Sequence, residues 1–386
     1  MRVLMAHNYY QQAGGEDLSF ARDGALLESY GHTVIPYTLH NDQIQGMNPA
    51  ALAVRTLWNA ESYGHLRRLL RAEKPDVIHF HNTFPLISPS AYYAAAAENV
   101  PVVQTLHNYR LACINALFYR QERVCEDCLG KLLPWPGILH ACYRQSRAAS
   151  TVAAGMLFSH RLLGTWSQKV DRYIALSEFA RQKMIAAGLP AQNVAVRVNY
   201  IHPDPGLGDG TGGFALFVGR LAAEKGVACL LSAWQKLGGK IPLKIIGDGP
   251  LAGERMQAAP GVEWLGYLPP AQTIQWIRQA ACLVMPSQWY EGMPMTIIEA
   301  FACGTPVIAS RIGAMQEMVE EGVNGAFFAP GDAEALAGAV ERLFQAPLAR
   351  RAEMRKAARQ AYERHYTAEA GYDRLLEIYQ QAVSKG

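Results

Sequence analysis

Two carboxylates, Glu291 and Glu299, stand eight positions apart in the stretch Glu291-Gly-Met-Pro-Met-Thr-Ile-Ile-Glu299. The apolar run Ala281-Cys-Leu-Val-Met285, closed by Pro286-Ser287, reads as a buried parallel strand, and Pro294 followed by Thr296-Ile-Ile-Glu-Ala-Phe-Ala reads as the start of a helix. Glu291 then falls on the loop and Glu299 in the second turn of the helix. Carboxylates accept hydrogen bonds, which suits hydroxyl groups, while the open backbone N–H groups of a helix start lie at the positive end of its dipole and suit a phosphate. A polyol attached to phosphate is the ligand chemistry this pairing describes. Standing alone, two Glu near a helix start are more often solvated surface.

They do not stand alone. Upstream, Phe214-Ala-Leu-Phe-Val-Gly219-Arg220-Leu-Ala-Ala-Glu224-Lys225-Gly226 is a buried strand, a loop with two cations, and a Gly before a helix. Between them, Leu243-Lys-Ile-Ile-Gly247-Asp248-Gly249-Pro250 is a second strand ending in a Gly-rich turn. Ligands of open parallel sheets bind outside the carboxyl ends of the strands, and all three loops lie at such ends. Arg220 as a bidentate fork and Lys225 as a point charge would neutralise a diphosphate, with Gly247 and Gly249 letting the backbone approach closely. In the N-terminal half the first strand ends in His7-Asn8-Tyr9-Tyr10, and the loop Gln11-Gln-Ala-Gly14-Gly15-Glu16 leads into a helix carrying Phe20. The Gly pair reads equally as a plain turn or as part of a ligand site. His81-Asn82 and His107-Asn108 end two further strands; a lone His at such a place serves as a structural hydrogen-bonder or as a site residue.

Strands alternate with helical patterns throughout, which predicts an α/β protein with parallel sheets built from βαβ units. The expected N-terminal strands are Val3-Ala6, Thr33-Tyr37, Val77-His81, Val102-His107, Arg172-Leu176 and Val194-Val198. The C-terminal ones are Ala215-Gly219, Leu243-Gly247, Val262-Leu265, Cys282-Pro286, Val307-Ser310 and Gly325-Phe328. Asn199-Tyr-Ile-His-Pro203-Asp-Pro205-Gly206 and the Gly-rich tract up to Gly213 supply no core, so they mark a linker. The predicted domains are 1–198, with an insertion at 109–145, and 214–366, followed by a last helix over 367–386.

Gly219-Arg220, Glu224-Lys225-Gly226, Gly247-Asp248-Gly249-Pro250 and the Glu291/Glu299 pair, in that order and spacing, resemble the nucleotide-sugar half of the retaining glycosyltransferases of family four. The resemblance extends over essentially the whole chain. It implies the GT-B fold, two Rossmann-like doubly wound domains facing a cleft, with the last helix crossing back to the N-terminal domain. It implies hexosyl transfer from a nucleotide-diphosphate sugar to a hydroxyl of a glycan or lipid-linked acceptor, in cell-surface polysaccharide or glycolipid synthesis, without a catalytic metal or other cofactor. Glu291 would bind donor-sugar hydroxyls and Glu299 the ribose, with the backbone of Gly292, Met293, Pro294 and Met295 lining sugar and phosphate. Asn8, Gly14, Gly15, Glu16 and His81 would lie on the acceptor side, and His107 would contact the donor sugar. Retention would follow a front-face route in which the departing phosphate takes the acceptor proton.

Cys113, Cys125, Cys128 and Cys142 gather in one segment, and Cys125-Glu-Asp-Cys128 has the spacing of a metal knuckle. In a reducing compartment four thiols so placed favour structural zinc over disulfides, with plain packing or redox chemistry as the other readings. Zinc there would hold an insertion over the acceptor side.

The chain of 386 residues is 50% apolar and carries a net charge of +3, enough core for two domains and too little charge for a nucleic-acid partner. No apolar run reaches the roughly 18 to 20 residues of a membrane span, and Met1-Arg-Val-Leu-Met-Ala enters a strand directly, so a cytoplasmic protein is expected. Arg55, His65, Arg67, Arg68, Arg71 and Lys74 beside Leu57, Trp58, Leu66, Leu69 and Leu70, together with Lys131-Leu-Leu-Pro-Trp135-Pro-Gly-Ile-Leu139, suit either a solvated face over core or peripheral contact with an anionic inner-membrane surface. A dehydrogenase would want G-x-G-x-x-G after its first strand, which neither half has. A sugar phosphorylase, an epimerase or a non-catalytic glycan-binding protein are the remaining alternatives, the last disfavoured by the presence of all four charged positions.

Overall fold

The computed structural model describes residues 1–11, 14–253 and 259–384. Its strands, in chain order, are β1 (Arg2–Tyr9), β2 (Thr33–His40), β3 (Val77–Asn82), β4 (Val102–Leu106), β5 (Tyr119–Arg120), β6 (Arg123–Val124), β7 (Arg172–Ala175), β8 (Val194–Val196), β9 (Ala215–Val218), β10 (Leu243–Ile246), β11 (Val262–Gly266), β12 (Cys282–Met285), β13 (Val307–Ser310) and β14 (Gly325–Phe328). Two six-stranded parallel sheets run in the orders β2-β1-β3-β4-β7-β8 and β11-β10-β9-β12-β13-β14. The inner strands β3, β4, β12 and β13 are buried along their whole length, as expected of parallel strands covered on both faces, whereas the edge strands β2 and β11 are partly exposed. In each sheet the order reverses once, between β1 and β3 and between β9 and β12. Such a reversal splays the following loops apart and leaves a crevice at the carboxyl ends of the two strands.

The chain divides into two compact units. One comprises Met1–Phe118, Glu126–Val198 and Gly371–Gly386, the other Tyr119–Cys125 and Asn199–Ala370. The first core packs Val3, Met5, Val77, Val103 and Ile174 of the sheet against Leu375, Ile378, Tyr379 and Ala382 of the last helix, Ala368–Val383. The second core is built around Trp234, fully buried, whose indole Nε1 donates to Ile241 O at 2.8 Å. The Pro- and Gly-rich tract before β9 is strapped along the second unit. Gly208 N donates to Cys303 O at 3.0 Å, Gly212 N to Gln279 O at 2.9 Å, and Arg359 grips Asp204 through two bonds of 2.8 and 2.6 Å.

The insertion holds the β5–β6 hairpin and a short helix, Trp135–Leu139. Here the zinc expectation is corrected. Among the described residues no three His, Cys, Asp or Glu side chains converge on a point that could hold a metal ion, so Cys113, Cys125, Cys128 and Cys142 do not form a tetrahedral set. The Cys113 thiol donates to Asn115 Oδ1 at 2.9 Å, and burial raises its pKa. Order in the insertion comes from elsewhere. Arg161 donates to the carbonyls of Lys131, Leu132 and Leu111, the last at 2.7 Å, and Lys183 pairs with Glu126 at 2.6 Å.

The basic stretch around Arg67 is a core-covering helix, Ala60–Glu73, capped by Asn59. Leu66 and Leu70 are buried beneath it, and Arg67 and Arg71 are both tied to Glu98, at 2.6 and 2.8 Å.

Candidate active site

In the second unit three loops meet at the carboxyl ends of β9, β10 and β12. Backbone bonds lock them: Gly219 N to Ile246 O at 3.0 Å, Leu221 N to Asp248 O at 2.9 Å, Gln288 N to Glu224 O at 2.8 Å. The glycines make this approach possible. Gly247 has φ +142° and a Cβ there would sit 1.9 Å from Gly219 O; Gly226 has φ +72° and its Cβ would sit 1.8 Å from Pro286 O. Gly249 has φ +153° and a Cβ there would sit 2.6 Å from Leu221 O.

Lys225 reaches from the first loop to the third, where its Nζ donates to Glu291 Oε1 at 2.8 Å. The same oxygen accepts from Ser287 Oγ at 2.6 Å and Trp289 Nε1 at 3.0 Å, and the ammonium lies 5.4 Å from the Trp289 ring centre. The Glu291 residue is buried, whereas Lys225 keeps part of its surface. Arg220, five residues earlier on the same loop, is exposed. Met293 is buried, its Sδ 3.2 Å from Asn199 N, and Pro294 caps the helix Met295–Ala302, which carries Glu299 half-buried in its second turn. Gly292 and Met295 are half-buried on the same segment.

In the first unit the sequence-derived residues separate by role. Asn8 is fully buried and its amide is engaged on both sides: Nδ2 donates to Asn41 Oδ1 at 2.8 Å and to Tyr9 O, and Oδ1 accepts from Leu86 N at 2.8 Å. It braces loops. Gly14 caps the helix Gly15–Ser29, and Gly15 is exposed at its start; Gln12 and Ala13 of the same loop lie outside the described residues. Glu16 is half-buried, accepting from Asn108 Nδ2 at 2.6 Å and from the Tyr10 hydroxyl at 3.0 Å. Burial raises its carboxyl, and the bonds from Asn108 and Tyr10 and the Arg110 charge oppose that rise without cancelling it.

His81 is the penultimate residue of β3, at the strand end where the sequence placed it, and is almost wholly buried. It belongs to an array that single-residue reading missed. His79 and His81 are two apart in a strand and so point to one face; their rings are 4.3 Å apart. His81 Nδ1 is 3.0 Å from His107 Nε2, with the rings stacked at 5.1 Å. His7 bonds Asp17 Oδ1 through Nε2 at 2.7 Å, while Asp17 Oδ2 accepts from Gly14 N at 2.8 Å. Beneath them Asp23 and Arg197 form a fully buried bidentate pair at 2.9 and 2.7 Å, and Arg197 Nε donates to Gly371 O at 2.9 Å. Burial drives His79 and His107 down to about 3 and His81 well below its ordinary value, so these rings are neutral at pH 7. For Asp23 burial pushes upward, but the Arg197 ion pair prevails and the carboxylate stays charged.

Two doubly wound parallel sheets, each with charged and glycine-rich loops at its switch point, define a protein of the GT-B class. The fold is matched by a glycosyltransferase from Rickettsia africae (TM-score 0.71, 15% identity, all of both chains) and by Anabaena Alr3699/HepE in complex with UDP-glucose (TM-score 0.66, 18% identity, 99% of this chain and 98% of that one). Residues 25–204 match the family model Glycosyltransferase Family 4, and 213–346 match Glycosyl transferases group 1. The chain belongs to the family 4 glycosyltransferases of the GT-B type. Among curated relatives it is 30% identical to the amylovoran biosynthesis glycosyltransferase AmsK of Erwinia amylovora over 54% of this chain. It spans 56% of the length of that relative.

Proposed function

We propose that the protein transfers a sugar from a nucleotide-diphosphate sugar to a hydroxyl of a glycan or lipid-linked acceptor with retention of anomeric configuration, in surface polysaccharide or glycolipid synthesis. The observation that carries this reading is the Lys225–Glu291 pair, held over three interlocked loops that only glycine backbones permit, with Arg220 exposed on the first of those loops. Negative charge develops on the diphosphate as the glycosidic bond breaks, and Arg220, Lys225 and the N–H groups opening the helix at Met295 stabilise it electrostatically. The side-chain cations make a divalent metal unnecessary for that task. Glu299 takes the ribose, and Glu291 has two duties, accepting sugar hydroxyls and holding Lys225 in place. Gly14, Gly15 and Glu16 serve the acceptor, with Asn8 positioning the loop. The departing phosphate takes the acceptor proton.

AmsK is named for amylovoran biosynthesis, and the HepE structure is described as a complex with UDP-glucose, which supports a nucleotide-sugar donor and a glycan product for this chain. A lipid-linked acceptor is supported by surface chemistry. Between Leu129 and Val170 there is no Asp or Glu, while Lys131, Arg144, Arg147, Arg161 and Lys169 are present. Leu132, Trp135, Leu139, Leu162 and Leu163 of that stretch are each more than half exposed. Apolar and cationic groups without anions suit peripheral contact with an anionic lipid surface. No helix among the described residues is long and apolar enough to cross a membrane. The test is co-sedimentation with vesicles containing phosphatidylglycerol. Binding that is lost in Trp135→Ala/Leu139→Ala or in high salt supports the contact, and equal partition to neutral and anionic vesicles contradicts it.

A further inference from the structure

The His81–His107 hydrogen bond admits two arrangements, and which one forms decides what His107 offers to a ligand. In one, His81 Nδ1–H donates to His107 Nε2, which leaves His107 with its proton on Nδ1. In the other, His107 Nε2–H donates to His81 Nδ1, which leaves His107 with a bare lone pair on Nδ1. The structure supplies the deciding charge. The remaining nitrogen of His81, Nε2, is buried without a hydrogen-bond partner and lies 3.8 Å from Asp23 Oδ2. Asp23 is a fully buried carboxylate whose two oxygens each take one bond from Arg197, so each oxygen keeps a lone pair. An N–H aimed at that anion is attracted in a low-dielectric interior, and a nitrogen lone pair aimed at it is repelled. The first arrangement puts the lone pair there; the second puts the proton there. The other groups around the rings do not reverse this preference. His79 bonds Tyr379 and Thr105 through its two nitrogens, and His7 bonds Asp17. Arg197 is turned to Asp23 and to Gly371 O.

We infer that Asp23 and His81 are positioning residues that fix the tautomer of His107, holding its proton on Nε2 so that its Nδ1 edge accepts a hydrogen bond from a ligand hydroxyl. That edge makes no hydrogen bond among the described residues and is not among the sealed buried atoms. The array thus sets an acceptor where a neutral imidazole free in solution would offer either role. A sugar hydroxyl can donate to it, whereas a group with only lone pairs, such as a phosphate oxygen, is turned away from this edge. The inference rests on the sugar-transfer reading for the identity of the hydroxyl, and on geometry alone for the tautomer.

The experiment uses the full chain labelled with ¹⁵N in its histidines, with long-range ¹H–¹⁵N correlation to tell protonated from bare ring nitrogens and His107→Gln to assign the signal. Wild-type protein is expected to show His107 protonated on Nε2. Asp23→Asn keeps the shape but can turn an amide N–H toward His81 Nε2, so both rings are expected to change tautomer and the His107 proton to move to Nδ1. His81→Gln, whose amide can accept from His107 and donate toward Asp23, retains the Nε2 proton and most of kcat. His81→Phe loses the tautomer preference and about tenfold in kcat, on the order of one hydrogen bond, with the donor KM little changed. A His107 proton on Nδ1 in wild type, or the same tautomer in wild type and Asp23→Asn, overturns the inference. If Asp23→Asn does not fold, the wild-type tautomer and the two His81 variants decide. Protein with the expected tautomer but no sugar transfer would uphold the inference and sink the proposed activity; transfer with the opposite tautomer would do the reverse.

Discussion

Lys225 and Glu291 hold each other, which gives their substitution a signature beyond lost ligand contact. On the proposed donor reading, Lys225→Ala would remove a charge-assisted contact to the diphosphate worth about 1.5 to 3 kcal/mol, and it leaves the buried Glu291 carboxylate without its cation. Lower affinity for nucleoside diphosphate and a lower unfolding midpoint are both expected. Arg220→Ala, at an exposed position, should lose a similar part of the diphosphate affinity with stability unchanged. Calorimetry with nucleoside and nucleoside diphosphate separates the effects, since the bare nucleoside should bind all forms alike. The double variant Lys225→Ala/Glu291→Gln should cost less stability than the two single losses added, by about 1 kcal/mol or more. Strict additivity would show that the pair is not coupled. Glu291 and Lys225 were both legible from residue type and spacing, but their pairing was not. A loop's spacing does not say which of two cations folds back on its own carboxylate. For the same reason the knuckle Cys125-Glu-Asp-Cys128 misled: it fixes two thiols relative to each other and says nothing about where Cys113 and Cys142 fall.

The loops that carry these side chains depend on backbone shapes available only to glycine. Gly226→Ala would place a methyl group 1.8 Å from Pro286 O at a positive φ, and Gly247→Ala one 1.9 Å from Gly219 O. Each should destabilise the protein by roughly 1 to 3 kcal/mol and abolish measurable nucleotide binding, because the strands can relieve the clash only by parting the loops. Thermal unfolding with and without nucleoside diphosphate checks this; unchanged ligand-induced stabilisation in either variant would contradict it. All twelve strands of the two sheets were readable from sequence, since short stretches rich in β-branched and aromatic residues alternate with helical patterns throughout the chain. The β5–β6 hairpin was not, because two residues per strand are too few to show a period. The histidine array escaped too. His79 and His81 betray a shared face through their two-residue spacing, but Asp23 and Arg197 come from a helix and a strand end far along the chain, and only the fold brings them together.

At the scale of the molecule, the first unit buries neutral histidines beneath a helix from the far end of the chain. His79, fully buried and bonded to Tyr379 of that helix, titrates at about 3 against an ordinary value of 6.5. Its folded-state value is depressed, so the unfolded chain binds the extra proton, and stability is complete above pH 6.5 and lost as the pH falls toward 3. At pH 5 the loss from His79 alone should be about 2 kcal/mol. Urea unfolding at pH 7.5 and 5.0 should show that loss in wild type and a smaller one in His79→Gln; equal losses would place the acid sensitivity elsewhere. Leu375→Ala, in the same helix and fully buried, should cost about 2 to 5 kcal/mol through the cavity it leaves. Incubation with a panel of nucleotide-diphosphate sugars and a hydroxyl acceptor in the presence of EDTA tests the proposed sugar transfer most directly. The anomeric configuration of the product is read by NMR. One donor should be turned over without added metal to give a glycoside with the configuration of the donor. An inverted product, or turnover that requires restored magnesium or manganese, would contradict the account.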